Sequence, residues 1–225
     1  SAASEPLPPQ IEQARSLAAT SPREGLDLAK KAAAAAEQTG DVIGELQARG
    51  LIIDILRISG NALDVALCRE QLNRLEVLVQ QEEEPVRSKD RALLSIFRAE
   101  LALYLADNVE AVKLARVAVK QSESLEGAEI NRIAKVALGV ALARGILLGF
   151  LDEAKIYQQA YGRIDPQAYN EPLALLTQGF EGKPLEGYPF LASQGKNNLA
   201  FIYGQRNEYE KALALYREIE PPVSA

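Results

Sequence analysis

The residues that most often carry out catalysis are sparse in this chain. It contains no histidine, so the commonest general base and the commonest zinc ligand are both missing. Carboxylate pairs occur at Asp152-Glu153 and at Glu123 with Glu126, among polar neighbours and at helical spacing, which is typical of solvated helix faces. A serine nucleophile would need an activating base, and no motif supports a Ser-Lys arrangement, although the sequence leaves one open.

Other chemical signatures point in the same direction. Glycines occur singly, without the GxGxxG or GxxxxGK spacing of a phosphate-binding loop. The single cysteine, Cys68, lies on the apolar side of a predicted helix, and a buried structural thiol is favoured because no neighbouring base would promote the thiolate. The sequence therefore predicts a protein that is not an enzyme and that has no metal site and no cofactor.

Charge and composition exclude two further classes of interaction. The formal net charge is −6 and the lysines and arginines are scattered, so no basic surface for nucleic acid is expected. No apolar stretch approaches the roughly 18 residues of a membrane span, and we predict no direct membrane insertion. An aromatic content of only 6%, with abundant alanine and leucine, favours helices that pack closely through small side chains.

The elements that would position any site are predicted to be helices. Apolar residues recur at helical spacing over 46–58, 93–105 and 134–148. Short turn sequences separate such stretches, and strand-type alternation never lasts more than a few residues. We therefore predict an all-α domain over 10–225, after a proline-rich, disordered leader at 1–9.

A small residue recurs after successive turns, at intervals of 41, 45, 43 and 58 residues. The first three intervals indicate a repeat of about 40 residues, as in stacked helix hairpins. These small residues are Gly25, Ala66, Ala111, Ala154 and Ala212.

The last hairpin, "NNLAFIYGQRNEYEKALALYREIEP" at 197–221, shows the pattern most clearly. Ala200 and Ala212 would lie where two antiparallel helices cross, and Asn207 suits a left-handed turn between them. The larger residues expected to fill the space beside them are Leu199, Tyr203, Tyr209 and Tyr216. This pattern resembles the tetratricopeptide repeat (TPR). The resemblance implies a right-handed α-solenoid of antiparallel helix hairpins, a TPR-like superhelix.

Looser matches extend the resemblance over 10–225 as about four to five helix pairs. The segment 165–195 breaks the rhythm with four prolines and four glycines, which a continuous helix would not tolerate. It is either a degenerate repeat or a loop that joins two stacks. The long fourth interval favours a degenerate repeat with an inserted loop, and we predict irregular backbone there.

For function, the resemblance implies a non-catalytic protein-protein interaction or scaffold module, part of a larger bacterial signalling or regulatory protein. A peptide or protein would bind on the concave face. Carried over position by position, the exposed concave residues are Gln194, Asn197, Asn198 and Phe201 in the last unit, and Leu93, Ile96, Glu100, Val136, Gly139 and Ala143 in earlier units. Phe201, flanked by Asn197 and Gln194, is the predicted apolar anchor.

Further expectations accompany this hypothesis. The alternative function is a ligand-sensing regulatory domain that binds a small molecule within the superhelix, in a pocket lined by Tyr157, Tyr161 and Tyr169. Open ends of a solenoid also leave room for a homo-oligomer. Sensor regions of membrane-anchored bacterial signalling proteins resemble this arrangement, so a periplasmic location is favoured over a cytoplasmic one and the chain is expected to be part of a longer protein.

Overall fold

A computed structural model of the chain describes residues 9–58, 63–125, 129–147, 162, 164–181 and 183–219. Ten α-helices and one 3-10 turn lie in these ranges, and the same ranges contain no strand. The helices are α1 (Pro9–Thr20), α2 (Pro22–Thr39), α3 (Val42–Ile58), α4 (Val65–Val79), α5 (Val86–Tyr104), α6 (Asn108–Ser122), α7 (Glu129–Leu147), α8 (Asn170–Phe180), α9 (Pro189–Gln205) and α10 (Tyr209–Ile219), with the 3-10 turn at Pro166–Tyr169. The all-α prediction is confirmed. The predicted leader lies outside the described residues except for Pro9, which begins α1.

The helix ends follow from local residue chemistry. Pro22 starts α2 in its first turn, where a missing N–H is not needed, and Gly40 ends that helix with a left-handed φ of 70°. Asp64 and Asp107 cap α4 and α6, since each carboxylate accepts a hydrogen bond from a backbone N–H three residues later. Asn207 adopts the predicted left-handed turn between α9 and α10, with a φ of 62°.

The contacts divide the chain into two compact units, Ser1–Arg87 and Ser88–Ala225. In the first unit each helix packs on the next, from α1 to α4. Gly25 of α2 lies against the backbone of Ala18 in α1, so the absence of a side chain sets how closely these helices approach. Ala66, the next small residue of the series, is exposed, because α4 buries the opposite side, which carries Cys68 and Leu72.

In the second unit, α7 is the central helix, buried on almost every side. It packs against α6, α8 and α9, and α9 also packs against α10. Two glycines allow the close approach of α7 and α8: Gly139 of α7 meets the side chain of Leu176, and Gly179 of α8 meets Val136. The small residues Ala111 and Ala212 are buried as predicted, whereas Ala154 lies outside the described residues.

The proline-rich segment 165–195 contains more helix than its composition indicated. Pro166 and Pro189 occupy the first turns of the 3-10 turn and of α9, and Pro172 lies in the first turn of α8. These positions need no intrahelical N–H donor, so proline is tolerated there. Irregular backbone is confined to the described residues between α8 and α9, where Pro184 lies.

Candidate interaction surfaces

Helix α9 carries four of the residues predicted to bind a partner. Asn197 is exposed and Gln194 is half-buried. The prediction that Asn198 is exposed is wrong: it is buried, and its Nδ2 donates to the carbonyl oxygen of Gln194 at 2.7 Å. Phe201 is half-buried, and its ring meets that of Tyr169 edge to face, with centroids 6.2 Å apart. Of these four side chains, the one that reaches solvent freely is that of Asn197.

The other predicted concave positions lie on α5 and α7. Glu100 and Ile96 of α5 are buried, and Leu93 is half-buried. The prediction of exposure is therefore wrong for Ile96 and Glu100 of α5. It is also wrong for three residues of α7, which are all buried: Val136, Gly139 and Ala143. For Val136 and Gly139 the reason is α8, which packs directly on them.

Two arginines of α7 hold neighbouring elements in place through backbone carbonyls. Arg144 donates from Nη1 to the carbonyl oxygen of Leu103, near the end of α5, at 3.0 Å. Arg132 donates to the carbonyls of Gly179 and Phe180 at 3.0 and 3.2 Å, and to that of Lys183 at 3.0 Å. Carbonyls in the last turn of a helix lack intrahelical donors, and a cation also interacts favourably with that end of the dipole. Arg132 therefore caps α8 and fixes the start of the chain that follows.

Residues 183–188, which we call the anchored segment, cross the face formed by α5 and α7 without helical structure. Leu185 is only 5% exposed and Tyr188 only 8%, and both belong to the hydrophobic core of the second unit. The Tyr188 ring stacks on Phe97 of α5, with centroids 6.4 Å apart and planes inclined by 22°. The intervening and preceding residues of the segment are exposed. Tyr188 thus attaches this segment to α5, and Arg132 of α7 holds its first residue through the Lys183 carbonyl.

Sequence reasoning missed Leu185 and Tyr188 as contact residues. The available signal was that they are the two large apolar residues in a stretch otherwise made of proline, glycine and charged residues. A second aromatic pair lies beside the segment, where Tyr104 of α5 meets Phe190 of α9 at 6.4 Å in an edge-to-face arrangement. Tyr104 is exposed, so this second aromatic pair lies at the protein surface.

The tyrosines of the predicted ligand pocket are only partly described. Tyr157 and Tyr161 lie outside the described residues. Tyr169 is buried, and its hydroxyl has no hydrogen-bond partner within the described part of the chain. Burial raises the pKa of this hydroxyl above its ordinary value.

Helix α10 presents a row of exposed apolar side chains. Tyr209, Leu213 and Tyr216 are 66%, 50% and 39% exposed. Their spacing of four and then three residues places them on one side of the helix. The adjoining side of the helix packs on α9 and carries the buried Ala212 and the half-buried Leu215. Tyr209 and Tyr216 were predicted to fill space inside the hairpin; in the structure they face solvent.

A buried group of charges connects α2, α3 and α4 in the first unit. Glu45 is 1% exposed, and its Oε1 lies 2.8 Å from Nη2 and 2.9 Å from Nε of Arg74. This hydrogen bond raises the pKa of Arg74 above its ordinary value. Arg49 lies 3.7 Å from Glu45 and donates to Gln71 at 2.8 Å and to Glu37 at 2.9 Å. The group is held by partners within the unit, which indicates a structural role.

Two other kinds of site are not found in the described residues. Across the described ranges, no three or more cysteine, histidine, aspartate or glutamate side chains are placed to hold a metal ion. None of the helices in those ranges has the length and apolarity needed to cross a membrane.

Comparison with known proteins identifies no relative of this chain. No family model matches the sequence, and neither curated proteins nor solved structures show significant similarity to it. Functional inference therefore rests on the surfaces described above.

Proposed function

We propose that the chain is a non-catalytic interaction module that binds a segment of another protein on the face formed by α5 and α7. The observation that supports this is the anchored segment itself. Leu185 and Tyr188 bury their side chains in the core of the second unit, Tyr188 against Phe97 of α5, while the residues around them stay exposed. A helical face that holds an extended segment through two apolar side chains has suitable chemistry for another such segment, since spaced side-chain pockets give peptide-binding surfaces their specificity.

The packing of the last hairpin supports the wider proposal that the chain is a TPR-like solenoid. Ala200 and Ala212 are buried where α9 meets α10, and Asn207 forms the left-handed turn between them. On this proposal the helix pairs form a right-handed superhelix, and the module serves as a scaffold or sensor region of a larger bacterial signalling or regulatory protein, with a periplasmic location favoured.

Selection of displayed random peptides on the immobilised chain tests the binding proposal. We expect enriched sequences to share an apolar residue and an aromatic residue three positions later, because that is the spacing of Leu185 and Tyr188. A matched selection on the Phe97→Ala variant should lose this motif, since the aromatic partner of Tyr188 is removed. Enrichment of unrelated sequences that bind both proteins equally would contradict the assignment of the face.

Sensing of a small molecule is the second candidate function. It is favoured by the Tyr169 hydroxyl, because a buried hydroxyl normally has a hydrogen-bond partner and this one has none among the described residues. Under this alternative, the selection enriches no displayed peptides. A small polar molecule instead raises the melting temperature of the parent protein but not that of the Tyr169→Phe variant.

A further inference from the structure

The exposed row on α10 lies beside the side of the helix that packs on α9. Tyr209, Leu213 and Tyr216 form one contiguous line, and the helix is otherwise rich in charge. Exposed apolar groups that adjoin one another, rather than occurring singly, mark interaction sites. Tyr209 is also held in position, because its hydroxyl donates to Oδ1 of Asn207 at 2.8 Å. Such an ordered ring loses little further freedom when a partner covers it.

The charges beside this row have a definite arrangement. Leu213 is the central residue, with Glu210 one turn before it and Arg217 one turn after it, both exposed. Other charges of the helix already have partners: Lys211 lies 3.2 Å from Glu208, and Glu218 lies 3.1 Å from Lys196. No such ion pair is found for Glu210 or Arg217 in the described part of the chain. The surface therefore offers one acid and one base, placed on opposite sides of an apolar centre.

This arrangement is complementary to itself. A two-fold axis through Leu213 would bring a second α10 against the first in antiparallel orientation. Glu210 would then face Arg217 of the second copy, and the reverse pair would form on the other side of the axis. The guanidinium of each Arg217 would also approach the Tyr209 ring of the other copy, a favourable cation–π geometry. A closed, isologous contact of this kind is the commonest way in which identical chains associate.

We propose that a second copy of this chain docks on the α10 surface, with Leu213 at the two-fold axis and the Glu210–Arg217 pairs on either side. The contact involves one side of a short helix, so it falls below the size of a standard stable interface. The dimer is accordingly weak and exchanges with the monomer. This inference does not depend on the peptide-binding proposal, because it uses a different surface of the second unit.

Sedimentation equilibrium over a concentration series that reaches about 1 mM tests the dimer. The parent should show a monomer–dimer equilibrium, and Leu213→Glu should abolish it, because two carboxylates would meet at the axis. Glu210→Arg alone and Arg217→Glu alone should each weaken association by about tenfold or more, since each places like charges together. The double variant Glu210→Arg/Arg217→Glu should recover most of the parent affinity, because the pairs are re-formed with reversed sign.

Circular dichroism and melting temperature of each variant provide the folding control, and the exposed substitutions are expected to leave both unchanged. A parent protein that stays monomeric over the whole series would overturn the proposal. So would a dimer that persists in Leu213→Glu, which would place the interface elsewhere. A double variant no stronger than its two single variants would exclude the antiparallel pairing. Retention of a different protein on this surface, with the parent chain monomeric, would assign the row to that partner instead.

Discussion

Replacing Glu45 with alanine is expected to lower the free energy of unfolding by about 1.5–3 kcal/mol, because it removes a buried carboxylate that is hydrogen-bonded to a charged arginine. Glu45 is almost fully buried between α3 and α4, and its carboxylate accepts hydrogen bonds from Arg74. Its loss also leaves the mostly buried guanidinium of Arg49 with less compensating negative charge. Part of the Arg74 side chain reaches solvent, so the cost stays below that of breaking a fully buried ion pair. Urea denaturation followed by circular dichroism measures it.

Glu37→Ala is the matched control, because Glu37 binds the same Arg49 from a half-exposed position. Because solvent screens the half-exposed carboxylate of Glu37, removing it should destabilise the protein less than Glu45→Ala does. Equal destabilisation by the two substitutions would show that the contribution of Glu45 to the free energy of unfolding does not depend on its burial. A Glu45→Ala protein as stable as the parent would contradict the buried ion group altogether.

Gly25→Ala is expected to destabilise the first unit by about 1–3 kcal/mol through overpacking. A Cβ added at Gly25 would lie 2.6 Å from Cα and 2.7 Å from N of Ala18, so it would meet backbone that cannot rotate away. Helices α1 and α2 would have to separate, with loss of the contacts between them. The change in the urea midpoint gives the magnitude.

Gly50→Ala tests the same chemical change in α3, where an added Cβ would meet nothing within 4 Å. Alanine is favoured over glycine inside a helix by roughly 0.5–1 kcal/mol, so this variant should be more stable than the parent. The two substitutions are therefore predicted to have opposite signs. If both stabilise the protein, the close approach of α1 and α2 at Gly25 is contradicted.

The helices were predictable because their signals are local. Residues such as Pro22, Gly40, Asp107 and Asn207 determine where a helix starts or stops through their own backbone and side-chain chemistry. Whether the small residue of a repeat is buried depends less on its local sequence and more on the neighbouring helix. Ala111 and Ala212 follow the predicted register, whereas Ala66 does not, because the side of α4 that is buried depends on what α3 presents to it.

The candidate surfaces were harder to predict because they depend on contacts between distant parts of the chain. Val136 and Gly139 were assigned to an open face, but the α8 helix covers them. Nothing in the local sequence of α7 indicates that another helix packs on these two residues. Glu45 did carry a signal, since it falls on the same side of α3 as Ala48 and Ile52 and so occupies an apolar position in the helical pattern. Its partners Arg49 and Arg74 emerge only from the packing.

The central claim, that the α5–α7 face binds an extended protein segment, is tested most directly by supplying the anchored segment in trans. The Leu185→Ser/Tyr188→Ser variant vacates the face, and a fluorescent peptide of residues 183–190, KPLEGYPF, is titrated into it and into the parent. In the parent, the tethered segment competes at an effective concentration on the order of millimolar. We expect the peptide to bind the variant at least about tenfold more tightly than the parent, and a peptide with both residues replaced by serine to bind neither. A variant that keeps its helical circular dichroism yet binds the two peptides equally, or no better than the parent does, would contradict the account.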